Sequence, residues 1–282
     1  MTDSYRFRLI TLDDVELGRT SELLRLVFPG SKHLTPRYLR WKYANNPDGI
    51  AIGCNAYDGE QLVGTMAAVP MRGRLEGEER SGLFMLNGAV HPNHRGMKLQ
   101  SRISAAIFEE SVNRGFDFCF GTGNKYSTGP LLTRFKLLKQ LEARLGMGLP
   151  VLKCVGGASS FDRSWSQAAM GWRLQNPEAT YRVGAVRQRS MVTAPTAVPG
   201  LDAILYDGAA QWPLTDHRPS PLRPHLWIGL HHDIDWSRSA YVSIPRRLRA
   251  SPLNLVFKDL TGGSYLPDPE RISFRAIDFD AF

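Results

Sequence analysis

The sequence predicts an α/β protein with a mixed sheet, in which one core unit is followed by a second, degraded unit of the same kind. Two observations support this fold class. Segments with strand periodicity and segments with helix periodicity alternate through residues 1–150. An aromatic helix with an Asn-Pro stop and a following strand then recurs in the second half. A chain of 282 residues is long enough for one large domain or two modest ones.

The elements of the first half follow from periodicity, capping and turn residues. Thr11 is a candidate N-cap for the first helix, and Thr35-Pro36 begins the second helix. Asp58-Gly59 predicts a hairpin turn between two strands. In chain order we predict a strand (5–10), a helix from Thr11, a helix (37–43), three strands (50–57, 61–70 and 80–90), a helix ending near Arg114, a strand (115–121) and a helix (127–138).

The segment 86–101 is the most informative part of the chain. An apolar strand ends at Val90, a turn with Pro92 and Arg95-Gly96 follows, and apolar residues then recur at helical spacing. A strand that leads into a helix through a short basic loop offers free backbone N–H groups and the positive end of a helix. Such an arrangement suits a pyrophosphate.

Val90-His91-Pro92 and Arg95-Gly96 resemble the acyl-CoA-binding loop of the GNAT superfamily of N-acyltransferases, where Val-x-Pro introduces the pattern Arg/Gln-x-x-Gly-x-Gly/Ala. Lys98 and Gln100 stand where the family has small residues. Either Lys98 supplies charge to a retained cradle, or the loop is a relic, or it is an ordinary turn with a chance Arg-Gly pair. The order of predicted elements over residues 5–150 is also that of a GNAT core.

The resemblance implies acetyl-CoA or another acyl-CoA as a substrate, and no metal. It places the thioester beside the backbone of Ala89 and Val90. It also implies that Asn124 contacts the donor arm, although a turn residue beside two glycines is an equally common use of Asn. The phosphate cradle would consist of the N–H groups of Arg95, Gly96, Met97, Lys98, Leu99, Gln100 and Ser101.

The resemblance leaves the catalytic side chains less well defined. Many relatives place a tyrosine where this chain has Leu131, as the acid that protonates the leaving thiolate. Tyr126 is a nearby substitute, and water is the alternative. Relatives often place a carboxylate base where this chain has Asn87. His91 is the nearest side chain that can serve as a base near neutral pH, or else it only packs the turn and the amine loses its proton to water.

Residues 155–282 are interpreted as the second, degraded GNAT-like unit. Trp172, the stop at Asn176-Pro177 and the strand after it echo Trp41, Asn46-Pro47 and the next strand. Convergent use of Trp and Asn-Pro at a helix end is the alternative. No Arg-Gly loop follows, so residues 1–150 would be the catalytic domain and residues 155–282 would help to form the acceptor groove.

Four further patterns belong to this second unit. Residues 251–257 echo the buried strand 115–120, and residues 272–282 alternate as a last strand would. Residues 156–160 have the composition of a linker. Residues 231–235, His-His-Asp-Ile-Asp, are interpreted as a solvent-exposed or groove-lining loop rather than a metal site, because strand neighbours face opposite sides and no second ligand cluster stands out.

Charge and cysteine content limit the class of protein. The formal net charge is +8, but outside the run 246–249 the Lys and Arg residues are scattered among acids, so a nucleic-acid partner is not expected. No apolar run approaches the roughly 18 residues of a membrane helix. Cys54, Cys119 and Cys154 are spaced as reduced core thiols. We therefore expect a cytoplasmic protein.

The predicted function is acyl transfer, most simply acetyl transfer, from acyl-CoA to a primary amine of a small molecule. An amino sugar, a nucleotide sugar and an amino acid derivative are the acceptors expected first. A GNAT-fold protein that binds or scaffolds without catalysis is one alternative. Another is an acyltransferase whose donor is an acyl carrier protein, which a basic surface suits. An RNA-associated modifier rests on charge alone.

Overall fold

The computed structural model describes residues 5–153, 157–186, 189–208, 212, 223–249 and 251–279. The elements of the first half are β1 (Tyr5–Leu9), α1 (Asp14–Val27), α2 (Pro36–Ala44), β2 (Ile52–Asp58), β3 (Gln61–Leu75), β4 (Glu78–Val90), α3 (Leu99–Asn113), β5 (Phe118–Gly123), α4 (Thr128–Leu131), β6 (Lys136–Gln140) and β7 (Glu142–Met147). Those of the second half are β8 (Phe161–Arg163), α5 (Gln167–Leu174), β9 (Arg182–Val186), β10 (Arg189–Pro195), β11 (Asp202–Gly208), β12 (Pro224–His231), β13 (Tyr241–Ser243), β14 (Asn254–Asp259) and β15 (Ile272–Arg275).

The order of elements through β5 is the predicted one, but the helix expected over residues 127–138 is wrong. Only the single turn α4 is helical there, and β6 follows it. Residues 136–140 instead find a partner in β14, with Lys136 opposite Phe257 and Gln140 opposite Asn254.

Two smaller expectations also need correction. The N-cap of α1 is Asp13, whose carboxylate accepts a hydrogen bond from the Glu16 N–H, while Thr11 donates its hydroxyl to Asp13. The predicted last strand ends at Arg275, because a 3-10 turn begins at Ala276. The Asp278 carboxylate accepts the Arg275 N–H and so holds this turn. Residues 280–282 lie outside the described residues.

The two halves repeat one arrangement of strands. In the first half, β2 pairs with β3 and β3 with β4 in antiparallel fashion, and β4 then pairs with β5 in parallel. In the second half, β9, β10, β11 and β12 follow the same sequence of antiparallel, antiparallel and parallel pairing. A short aromatic helix precedes each set, α2 in the first and α5 in the second. This agreement supports a second unit related to the first.

The halves exchange strands. β14, from the second half, lies between β5 and β6 of the first. In return β7, from the first half, lies between β12 and β13 of the second. The expected boundary at residues 150–155 therefore does not divide the sheet, and the fifteen described strands form one continuous sheet. The similarity between residues 115–120 and 251–257 therefore does not mark equivalent strands of the two units, because β5 and β14 pair with each other in the sheet.

Trp41 and Trp172 join the halves by a reciprocal contact. The Trp41 Nε1–H donates to the Trp172 carbonyl at 3.2 Å, and the Trp172 Nε1–H donates to the Trp41 carbonyl at 3.1 Å. Their rings stack with centroids 4.8 Å apart and an interplanar angle of 21°. Such a pair of identical contacts is what a two-fold relation between α2 and α5 produces.

The core lies on both faces of the sheet. α3 packs on one face, where Ile103 and Ile107 are fully buried. α1 and α2 pack on the other face, against Val69 and Leu86. Phenylalanines from both halves fill the junction: Phe118, Phe120, Phe161, Phe257 and Phe274.

The expected core position of the cysteines is found for two of the three. Cys54 and Cys119 are buried, and burial raises the pKa of the Cys54 thiol to about 11 and that of Cys119 further. Cys154 lies outside the described residues. Within the described ranges, no helix combines the length and apolarity that crossing a membrane requires.

Candidate functional site

The candidate site begins where β4 and β5 separate. These parallel strands pair from Gly82 opposite Phe118 to Met85 opposite Gly121. β4 continues to Val90 and keeps β3 as its partner on the other side. Beyond Met85, none of the described residues of β5 pairs with β4. The two strands therefore leave an opening in the sheet whose walls carry backbone N–H and C=O groups.

An irregularity in β4 lies at this opening. The β3–β4 register shifts between Thr65 and Ala67. Opposite the shift, Asn87 has a φ of 55°, a left-handed conformation that a residue other than glycine adopts at a cost. The Asn87 Nδ2 donates to the Tyr43 hydroxyl at 2.8 Å. Tyr43 is buried in α2, and burial raises its pKa, so the hydroxyl stays neutral. Tyr43 thereby holds the bulge from the opposite face, and the sequence signals no such role for it.

The residues of the expected phosphate cradle form an open loop and helix start. A 3-10 turn covers Pro92–His94, Gly96 has a φ of 82°, and Lys98 has a φ of 56° at the N-cap of α3. The first-turn N–H groups of a helix have no intrahelical acceptor, and α3 has no acidic residue there. This end of the helix therefore favours an anion.

The side chains of the cradle differ in direction and exposure. Arg95, Met97 and Lys98 are exposed, whereas Leu99, the first residue of α3, is buried between the helix and the sheet. Gln100 points toward the opening, since a Cβ placed on Gly88 would lie 3.5 Å from the Gln100 Nε2. Of the two bulkier residues, Lys98 thus faces solvent, and the Gln100 side chain lies beside β4.

The expected catalytic side chains lie on opposite sides of the opening. His91 follows β4, where its N–H donates to the Val63 carbonyl at 2.8 Å and its Nδ1 accepts from the Asn93 N–H at 3.3 Å. Tyr126 follows β5 and is 77% exposed, and its ring centroid lies 4.8 Å from the Lys125 Nζ.

Asn124 closes the turn after β5. Its Oδ1 accepts hydrogen bonds from the N–H groups of Tyr126 and Ser127 and from the Ser127 hydroxyl. The amide oxygen therefore serves the turn, and Leu131 is buried against the α3 face. Because β4 and β5 are parallel, the structure brings Ala89, Val90, the cradle, Asn124 and Tyr126 to the same edge of the sheet.

A cavity of about 10 Å³ lies on the α2 face, beside Leu86. Its charged lining residues come from both halves: Lys42, Arg163, Arg173 and Asp278. Burial lowers the pKa of Lys42 well below its ordinary value, and the nearby Arg173 and Arg163 lower it further. Burial raises the pKa of Asp278, against the effect of Arg163. The sequence does not reveal this cluster, because its members meet only when α2, β8, α5 and the turn after β15 pack together.

The expected loop 231–235 contains the end of β12 and a turn. Ligand atoms of His231, His232 and Asp233 lie within 4.8 Å of one another. Arg275 donates to the His231 Nε2 at 3.0 Å, however, and the two His232 nitrogens lie 3.1 Å from the Ser273 hydroxyl and 3.0 Å from the Gly157 carbonyl. The ring nitrogens are thus engaged by protein groups.

Comparison with known proteins agrees with this geometry. Residues 6–135 match the acetyltransferase (GNAT) domain family. Residues 6–135, a little under half of the chain, are therefore similar to a GNAT acetyltransferase domain. The matched region runs from β1 to the residue before β6 and contains the whole opening and the cradle. No curated protein matches the chain in sequence.

Solved structures share the fold over both halves. A probable N-acyltransferase of Enterococcus faecalis V583 is 12% identical, with a TM-score of 0.63 over 91% of this chain and 73% of that one. Eis1 from Mycobacterium abscessus is 9% identical, with a TM-score of 0.61 over 91% and 74%. A GCN5-related N-acetyltransferase from Anabaena variabilis ATCC 29413 is 10% identical, with a TM-score of 0.61 over 91% and 73%. At these identities the likeness concerns the fold.

Proposed function

We propose that this protein transfers an acyl group, acetyl in the simplest case, from acyl-CoA to a primary amine of a small molecule. The observation that carries the proposal is the opening between β4 and β5, which ends at the free N-terminus of α3. An extended pantetheine arm would add hydrogen bonds to the unpaired edge of β4, and its pyrophosphate would lie against the loop from Arg95 to Ser101. Both features belong to the region that matches the family.

The reaction would be a direct attack in a ternary complex. The amine nitrogen forms a bond to the thioester carbonyl carbon, the carbonyl oxygen gains charge beside the backbone of Ala89 and Val90, where one N–H would point at it, and the C–S bond then breaks. The attacking amine gives up one proton, to His91 or to water. The leaving thiolate takes up a proton from Tyr126 or from water. Positioning by the backbone would supply most of the rate enhancement.

The acceptor would enter from the α2 face. Leu86 lines the cavity on that face and precedes Asn87 at the bulge, so the cavity adjoins the reacting region. The second half contributes Arg163, Arg173 and Asp278 to its wall. The cavity itself has room for about one water molecule, so the acceptor groove would lie beside it, with both units contributing to its wall. The expected acceptors are an amino sugar, a nucleotide sugar and an amino acid derivative.

Calorimetric titration with CoA, acetyl-CoA and longer acyl-CoAs tests the donor site, and release of CoA with candidate amines tests turnover. Gly96→Ala is the informative variant. A left-handed residue with a Cβ costs about 1–2 kcal/mol, so the free loop should relax to another conformation, and donor binding would have to restore the left-handed one; binding should then weaken about tenfold. Gly77→Ala is the matched control. Gly77 has a φ of 88°, close to the 82° of Gly96, and a Cβ at either position would meet no atom within 4 Å. Gly77 lies in the turn between β3 and β4, at the opposite edge of the sheet from the cradle.

The outcomes distinguish an acyltransferase from a GNAT-fold protein that binds acyl-CoA without catalysis. Saturable binding that Gly96→Ala weakens and Gly77→Ala does not, together with CoA release, supports acyl transfer. Saturable binding of acyl-CoA with no turnover across the amine panel favours a binding or scaffold protein. Equal losses in both variants would show that the cradle is not the donor site.

A further inference from the structure

We propose that the edge of the sheet around the opening docks an acidic protein that presents the acyl group on a phosphopantetheine arm. This surface, called the donor edge, consists of three segments: residues 91–102, residues 122–128, and the described residues of 244–254, which are 244–249 and 251–254. The inference rests on the proposed function, since it assigns the partner that would deliver the acyl group to the same opening.

The topology brings the three segments together. β4 and β5 are parallel, so the segments that follow them leave the sheet at the same edge. β14 is antiparallel to β5, with Asn254 opposite Gly123, so the segment that leads into β14 arrives at that edge too. The Lys125 N–H donates to the Ser251 hydroxyl at 3.1 Å and ties the second and third segments.

The donor edge is strongly cationic. Its three segments contain no Asp or Glu, and they carry seven Lys or Arg residues: Arg95, Lys98, Arg102, Lys125, Arg246, Arg247 and Arg249. The carboxylate beside Arg249, that of Glu142, already accepts from Arg144 at 2.8 Å. A surface with this concentration of one sign attracts a partner of the opposite sign.

Each segment also presents one large exposed hydrophobic side chain between or beside cations. Met97 is 55% exposed, Tyr126 is 77% exposed and Leu248 is 70% exposed. An apolar anchor inside a charged rim is the usual composition of a protein interface. Surfaces for single-stranded nucleic acid use stacked aromatic rings, and only one of these three anchors is aromatic. The donor edge therefore fits an acidic protein with an apolar face better than RNA.

Free CoA accounts for only part of this surface. Its pyrophosphate would occupy the loop from Arg95 to Ser101, which contains two of the seven cations, and Arg102 directly after the loop is a third. Arg246 and Arg247 belong to the segment on the far side of β5, and Leu248 between them and Arg249 offers nothing to a phosphate. A protein that surrounds the arm would contact both sides of the opening.

The test uses an acidic acyl carrier protein as the probe, in its apo form and with an acetyl-phosphopantetheine arm. Binding to the full chain is followed by fluorescence anisotropy, and acetyl transfer to an amine is followed separately with the carrier protein and with acetyl-CoA. The variant combines Arg246→Glu, Arg247→Glu and Leu248→Ser. Arg80→Glu with Arg114→Glu is the control, because it reverses the same number of charges at the opposite edge.

We expect the armed carrier protein to bind more tightly than the apo form and more weakly at high salt. The triple variant should weaken its binding about 10- to 100-fold, and the control should change it less than about threefold. Equal losses in variant and control would overturn the proposal. So would an affinity for the armed carrier protein no higher than for acetyl-pantetheine alone, or displacement of the carrier protein by single-stranded RNA at equal concentration.

The failures of the two proposals are distinguishable. Transfer from acetyl-CoA without any binding of the carrier protein overturns the docking surface and leaves the proposed function standing. Binding of the carrier protein that depends on Arg246, Arg247 and Leu248, with no transfer from either donor, supports the docking surface and overturns the proposed function. Thermal unfolding of each variant shows whether it is folded before binding is compared.

Discussion

The reciprocal contact between Trp41 and Trp172 provides the sharpest test of how the two halves are joined. Both side chains are nearly buried, at 7% and 8% exposure, and each indole donates to the other residue's carbonyl. The rings also stack, with centroids 4.8 Å apart. Trp41→Phe and Trp172→Phe each remove one indole N–H donor and reduce the area of ring contact, while each helix keeps an aromatic ring.

The magnitudes follow from these contacts. Each carbonyl loses its indole donor, and the Trp172 carbonyl keeps the Gln175 N–H at 3.1 Å. The lost hydrogen bond should therefore cost about 1 kcal/mol rather than a full desolvation penalty. Reduced packing and stacking add about 0.5–1.5 kcal/mol. We expect each single substitution to lower the free energy of unfolding by about 1–3 kcal/mol.

The double variant separates the stack from the hydrogen bonds. Each hydrogen bond disappears with its own tryptophan, so those losses add, whereas the stack is already weakened by the first substitution. Urea unfolding should therefore show a double-variant loss smaller than the sum of the single losses by about 0.5–1.5 kcal/mol. Trp41→Phe combined with Trp227→Phe is the control, because Trp227 belongs to a separate core cluster, and that pair should be additive. Additivity within about 0.5 kcal/mol for Trp41 and Trp172 would refute the reasoning.

Three other measurements test the site and the core. In the parent protein, Tyr43→Phe should lower kcat at unchanged acyl-CoA affinity, because it releases the Asn87 side chain, whose backbone has a φ of 55°. In an Asn87→Gly background the bulge should persist without that hydrogen bond, so Tyr43→Phe should leave kcat unchanged. Equal kcat losses in both backgrounds would contradict this. Burial and Arg275 hold the pKa of His231 well below 6.5, so the unfolded chain binds more protons at pH 5–6, and stability should rise with pH there by up to about 1.4 kcal/mol per unit. His231→Phe should reduce that slope, and an unchanged slope would refute the assignment. Cys119 should resist thiol reagents until urea unfolds the chain, because it is fully buried with a raised pKa; labelling of the native state would contradict its placement.

Local patterns in the sequence account for most elements near the site. The strand that ends at Val90, the basic turn and the helix that begins at Leu99 were all predictable, because capping, periodicity and turn residues act over a few positions. The short segment 136–140 was not. Adjacent apolar residues and flanking lysines suit a helix or a strand equally, and its partner in β14 decided the outcome.

By itself, the sequence determined the order of elements through β5, the recurrence of the aromatic helix with its Asn-Pro stop, and the loop that resembles a GNAT cradle. Tertiary structure alone decided the exchange of β7 and β14, the Tyr43 hydroxyl that holds Asn87, and the shared cluster of Lys42 and Arg163. The reason is physical. A strand exposes the same backbone groups to any partner, and its neighbour is chosen by competition among all edges of the folded chain. Contacts between residues far apart in sequence leave no local pattern from which they can be predicted.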